Sequence, residues 1–338
     1  MFHTLIDRLV QTVVVLFVVS IIVFMLVRLI PGDPVDIFIG EMQVSTEQRE
    51  VYRREYGLDQ PIYVQYFAFV GKAVTGDLGR SITVRAPVAA LLWPAFLATL
   101  EVVIAGTLLS VIVGVPVALL AAARRGKLAD QVSGAIALFG YSMPTFWLGI
   151  MLILVFSVQL GWLPTGGRIS NLVALQRVTG LHVIDALITG NFNALGSALR
   201  HLALPAIALA AVSTASLMQV LRGSLISVGQ EDFVDALRSR GLSRPVVWRH
   251  MLRNAAPPTV IIMGVRFGGL LGGGIVLESV FSWPGLGLLI IDAIRARDYP
   301  LVQGGVLLMA ATFVLVSLIV DIIHVFLDPR IRHQEARS

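Results

Sequence analysis

Glu231-Asp232-Phe233-Val234-Asp235-Ala236-Leu237-Arg238-Ser239-Arg240-Gly241-Leu242 is the stretch whose residue types are most ordered by charge. Acids gather at its start and arginines at its end, matching the dipole of a short helix at both termini. Gly241 fits the left-handed position that follows such a helix. Leu242 can then fold back onto Leu237 as the hydrophobic contact of a Schellman motif. Ser243 is spaced to cap a second helix that tolerates Pro245 in its first turn. That helix is predicted to run through Trp248 to about Asn254 and to stop at Pro257-Pro258. The chemistry is mechanical: helix, tight turn, helix. On these features alone the segment fits either an ordinary amphipathic connector or a rigid element that passes force from a docked protein.

Motifs for covalent or nucleotide chemistry are incomplete. A phosphate-cradling loop needs G-x-x-x-x-G-K-[ST]. Gly71-Lys72 is followed by Ala73, with Tyr66 at the earlier glycine position, and Gly126-Lys127 is followed by Leu128, with Ala121 there. Neither pair can cradle phosphate. Gly140-Tyr141-Ser142-Met143-Pro144 has proline where a hydrolase's nucleophile elbow needs glycine. No H-E-x-x-H occurs, and the 6 histidines are scattered. The expectation is a chain that is no enzyme by itself and holds no cofactor or metal.

Five charged or titratable residues fall in or near apolar runs: Glu101, Arg266, Glu278, Asp321 and His324. A charge at mid-bilayer costs about 2.5–3.5 kcal/mol on insertion scales, so such residues face protein or water. Arg266 and Glu278 are candidates for lining a translocation path, since a zwitterionic cargo needs both signs along its route. The alternative for each is an interfacial or subunit-contact position. Gly268, Gly269, Gly272, Gly273 and Gly274 fit close helix packing, here against a helix of another subunit.

These residues must be positioned by membrane elements. Of 338 residues, 56% are hydrophobic and 14% charged, too little charge to wet a globule of this length. Apolar stretches at 9–30, 96–123, 132–160, 201–221, 259–281 and 301–327 are each near the roughly 20 residues that span a bilayer as a helix. An all-α integral membrane protein with six transmembrane helices is expected, forming one domain over 1–338. Arg8, Arg124, Arg125, Lys127, Arg238, Arg240, Arg244, Arg249, Arg253, Arg330, Arg332 and Arg337 fall on one side. The positive-inside rule makes that side cytoplasmic, with both termini and the loop 222–257. The net charge of +5 belongs to these loops. No basic stripe with interleaved aromatics occurs, so nucleic acid is excluded as a partner. Outside lie the segment 31–95 and the loop 161–200. The former is structured: Ser45-Thr46-Glu47-Gln48 reads as a capping box for a helix to Tyr56 that stops at Gly57.

The charged segment resembles the EAA loop of binding-protein-dependent ABC importer permeases, a pattern of E-A-A, three residues, then G. Asp235-Ala236-Leu237 and Gly241 occupy those places, with aspartate for glutamate and leucine for the second alanine. Leu252-Arg253-Asn254-Ala255 stands where Leu-Pro usually ends the pattern, as in the dipeptide and oligopeptide branch. Further likenesses to that branch follow in chain order. They are Pro31-Gly32-Asp33-Pro34, Gly57-Leu58-Asp59-Gln60-Pro61, Gly76-Asp77-Leu78-Gly79-Arg80-Ser81 and Tyr141-Ser142-Met143-Pro144-Thr145-Phe146-Trp147. After these come Phe281-Ser282-Trp283-Pro284-Gly285-Leu286-Gly287, Arg297-Asp298-Tyr299-Pro300 and Asp328-Pro329-Arg330-Ile331-Arg332. The chain resembles the first of the two permeases of dipeptide importers, which shares the extended loop at 168–200.

The resemblance implies the type I ABC importer permease fold in a bacterial cytoplasmic (inner) membrane. It implies a second homologous permease, one or two ATPase subunits carrying the ATP and Mg, and an outer substrate-binding protein. Asp235, Ala236, Leu237, Arg238, Gly241 and Leu242 would form the ATPase-coupling loop. Dipeptides or short peptides lead as cargo; haem, nickel chelates and glutathione stay open within the family. An ion-coupled secondary peptide transporter and a membrane enzyme are the readings from other classes.

Overall fold

The computed structural model describes residues 2–28, 45–55 and 58–327. Every regular element among them is helical. In chain order they are α1 (Phe2–Arg28), α2 (Thr46–Glu55), α3 (Ile62–Val74), α4 (Val88–Ala123), α5 (Leu128–Ser142) and α6 (Thr145–Leu152, continued by a π-helical turn, Ile153–Gln159). Then follow α7 (His182–Ile188), α8 (Phe192–Val228), α9 (Asp232–Ser239), α10 (Arg244–Gly273), α11 (Ile275–Val280), α12 (Leu286–Arg295) and α13 (Tyr299–Leu327). The Pro31–Pro34 motif, the expected helix stop at Tyr56-Gly57 and the Asp328–Arg332 motif lie outside the described residues.

Among the described residues, four helices are long and apolar enough to cross a bilayer: Val88–Ala123, Phe192–Val228, Arg244–Gly272 and Tyr299–Ile323. The broken pair α5–α6 is long and apolar enough for a fifth if its two halves count as one span, and α1 carries the shorter apolar stretch Leu9–Met25. The 36-residue α4 and 37-residue α8 rise about 1.5 Å per residue, so both overhang a core about 30 Å thick. They form the central pair of the molecule. With lipid as solvent, close van der Waals packing and not water exclusion drives such pairing. Gly106 and Gly114, two turns apart on α4, permit it. A Cβ at Gly106 would meet Leu209 Cβ at 2.9 Å, and one at Gly114 would meet Leu217 Cδ2 at 2.9 Å. Around this pair, α10 lies against α8 and α13, and α1 against α13.

Three expectations are corrected. The run 132–160 is not one straight span, because α5 and α6 are bent by 101°. Pro144 has no N–H to continue the ladder, and Met143 before it is extended at φ −81°, ψ 130°. The helix after Ser243 does not stop at Pro257-Pro258; it continues to Gly273. Inside a membrane protein, neighbouring helices stabilise a proline-containing helix that would break in water. Finally, Ser243 sits at the N-cap position without a capping side-chain hydrogen bond. The capping box at Ser45 does form: Gln48 N–H donates to Ser45 Oγ at 3.3 Å, and Ser45 N–H to Gln48 Oε1 at 3.0 Å.

Candidate coupling and translocation site

At the Val228 end of α8, the chain turns into α9. The apolar residues Phe233, Val234 and Leu237 of α9 face inward, and Val234 is fully buried against a core that includes Leu225, Val228, Val247 and Met251. The other face is exposed and carries Asp235, Ala236, Arg238, Ser239 and Arg240. Asp235 pairs with Arg238 at 3.0 Å, three residues on, in full view of solvent. The C-terminal turn forms as its residues dictate. Leu242 N–H donates to Leu237 O at 3.3 Å, and Gly241 N–H to Arg238 O at 3.0 Å. Gly241 sits at φ +75°. This pair of bonds is a Schellman motif, and Leu242 and Val246 after it are exposed.

Asp130 and Arg222 were not singled out from the sequence, yet they fix this end. Arg222 donates to Asp130 Oδ1 at 2.5 Å and Oδ2 at 2.7 Å, while Gly126 N–H donates to Oδ2 at 2.9 Å. A bidentate arginine fork therefore ties the first turn of α5 to the last turns of α8. The residues are 92 positions apart. A sequence periodicity carries no signal for such a pair.

The Phe192 end of α8 is built differently. Glu101 on α4 accepts from Arg168 Nη2 at 2.5 Å and from Val183 N–H at 2.8 Å, and Arg168 also donates to Gly180 O at 3.0 Å. Both side chains are under a tenth exposed. Thr179 and Gly180 N–H donate to the Asp185 carboxylate at 2.6 and 3.0 Å. Burial alone would raise the Asp185 carboxyl, but these bonds and one from the Thr179 hydroxyl outweigh it and hold it below the usual range. His182 is pushed down to about 4 by burial and then by Arg168 and Arg177, with Asp185 opposing, and its Nδ1 has no hydrogen-bond partner among the described residues.

The family-like motifs meet at this end. Trp283 Nε1 donates to Ala98 O at 2.8 Å, and Gly167 N–H to Phe281 O at 3.0 Å. Asp298 caps the start of α13 through Leu301 N–H at 3.3 Å and accepts from Thr83 N–H at 3.1 Å and from the Ser81 hydroxyl. So Gly76–Ser81 and Arg297–Pro300, far apart in sequence, share one aspartate.

The two path candidates separate. Glu278 is 2% exposed. Its carboxylate accepts from Thr99 Oγ1 at 2.5 Å and from Leu288 N–H at 2.9 Å, while Leu286 N–H donates to Thr99 Oγ1 at 2.8 Å. Glu278 therefore satisfies the first turn of α12, and its carboxylate faces its own chain and not a route for cargo. Arg266 is half-buried on α10, with its guanidinium carbon 5.7 Å from the centre of the Tyr141 ring. The glycine stripe also divides. Gly268 packs against Phe313 and Val316 of this chain's own α13, whereas Gly269 and Gly272 face open space.

A family model, the binding-protein-dependent transport system inner membrane component, matches residues 114–333. The chain belongs to that family. A second model, for the N-terminal part of such membrane components, matches residues 1–102 of the permease. Among curated proteins, the permease is 42% identical over 323 residues to the di/tripeptide transport system permease protein DppB of Pseudomonas aeruginosa, covering 94% of this chain and 95% of the relative. It is 42% identical over 321 residues to the dipeptide transport system permease protein DppB of Escherichia coli K12, with the same coverage. It is 38% identical over 335 residues to the glutathione transport system permease protein GsiC of that strain, covering 99% and 100%.

Proposed function

We propose that this permease and a second homologous one form the path by which dipeptides or short peptides enter through the bacterial cytoplasmic membrane. One or two ATPase subunits drive the cycle with ATP and Mg, and an outer substrate-binding protein delivers the cargo. Six spans, with α1 the first and α5–α6 together the third, place both termini and α9 in the cytoplasm. The peptide assignment rests on the length and level of identity to proteins named for dipeptides and di/tripeptides; glutathione, itself a peptide, is the second candidate on the GsiC likeness.

The observation that carries the mechanism is α9, exposed on its charged face and seated by Phe233, Val234 and Leu237 on the ends of α8 and α10. An ATPase gripping that face moves two long helices at once. Because α10 is continuous from Arg244 to Gly273, displacement near Arg244 reaches the middle of the membrane without a hinge at Pro257. ATP binding favours the outward-open arrangement by its differential affinity for the two states, and hydrolysis releases it.

The test is reconstitution of all subunits in proteoliposomes. Loaded binding protein should stimulate ATP hydrolysis and ATP-dependent dipeptide uptake, and the isolated permease should bind no ATP. Uptake that persists after the ATPases are removed would identify an ion-coupled transporter instead. For orientation, a cysteine at Ser239 should be shielded from an impermeant reagent in whole cells and one at Thr46 should react; the reverse would overturn the topology.

A further inference from the structure

Of the charged positions inside the expected spans, Glu101 and Glu278 are enclosed by donors from their own chain. Arg266 is not. It has no hydrogen-bond or ion-pair partner among the described residues, only the face of Tyr141. An arginine stays charged, and an unpaired charge in a span must face water or a counter-charge from elsewhere. Tyr141 itself is 54% exposed, so the space over this pair is not filled by the rest of the chain. The pair also lies where the membrane path is interrupted: Tyr141 is in the last turn of α5, just before the 101° break. Exposed Phe146 and Trp147 follow directly after the break. A cation held over an aromatic ring, beside a broken helix with exposed aromatics, is the composition of a small-molecule site: apolar walls and one charged group that fixes orientation.

Given the peptide reading above, we infer that Arg266 takes the terminal carboxylate of the cargo as it passes the membrane centre. Guanidinium matches carboxylate in a two-pronged hydrogen bond. The ammonium end of the same peptide is repelled, which sets the direction in which the molecule lies. Tyr141 holds the guanidinium in place. Glu278, the acid expected to complete the zwitterion site, is sealed away, so this chain supplies the cationic half alone.

The test uses the complete complex in proteoliposomes with alanyl-alanine as probe. Arg266→Gln should lower uptake at least about tenfold, the loss of a charge-assisted hydrogen bond, and Arg266→Lys should restore part of it. Val13→Ala, on the exposed face of α1, should leave uptake unchanged. A photo-reactive phenylalanine at Tyr141, irradiated without binding protein so that its selectivity drops out, should capture labelled alanyl-alanine. Unlabelled alanyl-alanine should compete, and its C-terminal amide should not. Uptake by Arg266→Gln at the parent rate would overturn the inference. So would loss of the second permease from that variant's complex, because Arg266 would then pair with an acid of that subunit. A parent complex that takes up no dipeptide would overturn the peptide reading itself, a result distinct from either.

Discussion

The two ends of α8 handle charge in opposite ways. Near Phe192, Glu101, Arg168 and Asp185 are buried and surrounded by donors and acceptors of the same chain. Near Val228, Asp235 and Arg238 stand exposed on a short helix whose apolar side is anchored in the core. Buried, saturated charge is expensive to disturb and defines one shape. Exposed charge on an anchored helix costs little to hold and is open to another protein. The first end is suited to keeping its form, and the second is the one that, in the proposed function, an ATPase grips.

Breaking the buried end should have the largest effect on stability. Glu101→Ala strands Arg168 in a low-dielectric interior and should cost about 3–5 kcal/mol, read as a lowered Tm of the purified complex. Replacing both partners, Glu101→Leu with Arg168→Met, should recover most of that loss. If single and double variants unfold alike, the pair is not the clamp on the 163–185 loop.

Next in size is Gly285→Ala. The new methyl group would point into the Glu278 carboxylate, so about 1–3 kcal/mol of overpacking is expected, against no loss for Gly134→Ala, where a methyl group meets nothing within 4 Å. Equal Tm values for the two variants would remove Glu278 from its capping role.

A smaller effect confined to acid pH should come from His182. Its pKa is lowered from 6.5 to about 4, so the fold favours neutral imidazole. The stability this represents is fully present above pH 6.5 and is lost as pH falls from there towards about 4. His182→Gln should flatten the fall in Tm between those values. An unchanged pH profile would mean His182 stays uncoupled from the fold. Smallest of all should be Asp235→Asn at the exposed end, with a change below about 1 kcal/mol because a surface pair contributes little.

Local chemistry was the legible part. The Ser45–Gln48 capping box, the Schellman turn at Gly241 and the apolar runs all depend on neighbours within a few positions, so their residues declare them. Long-range facts were not. Asp130 meets Arg222 because α5 packs on α8, and Glu101 meets Arg168 because the loop before α7 folds back onto α4; no spacing in the chain announces either. Prolines were the treacherous signal. Pro144 breaks its span while Pro257 and Pro258 do not break α10, since what surrounds a proline in the membrane decides whether the missing hydrogen bond matters.

The measurement that bears most directly on the gripped end is Gly241→Val in the full complex. A Cβ there would meet nothing within 4 Å, so the local penalty is backbone strain at φ +75°, about 1–2 kcal/mol. The permease should reach the membrane at its normal level, since insertion depends on apolar length. ATPase recovered in pull-down should fall, and peptide uptake should be lost with it. Full uptake with undiminished ATPase association would contradict the account, because the turn after α9 would then be an ordinary loop.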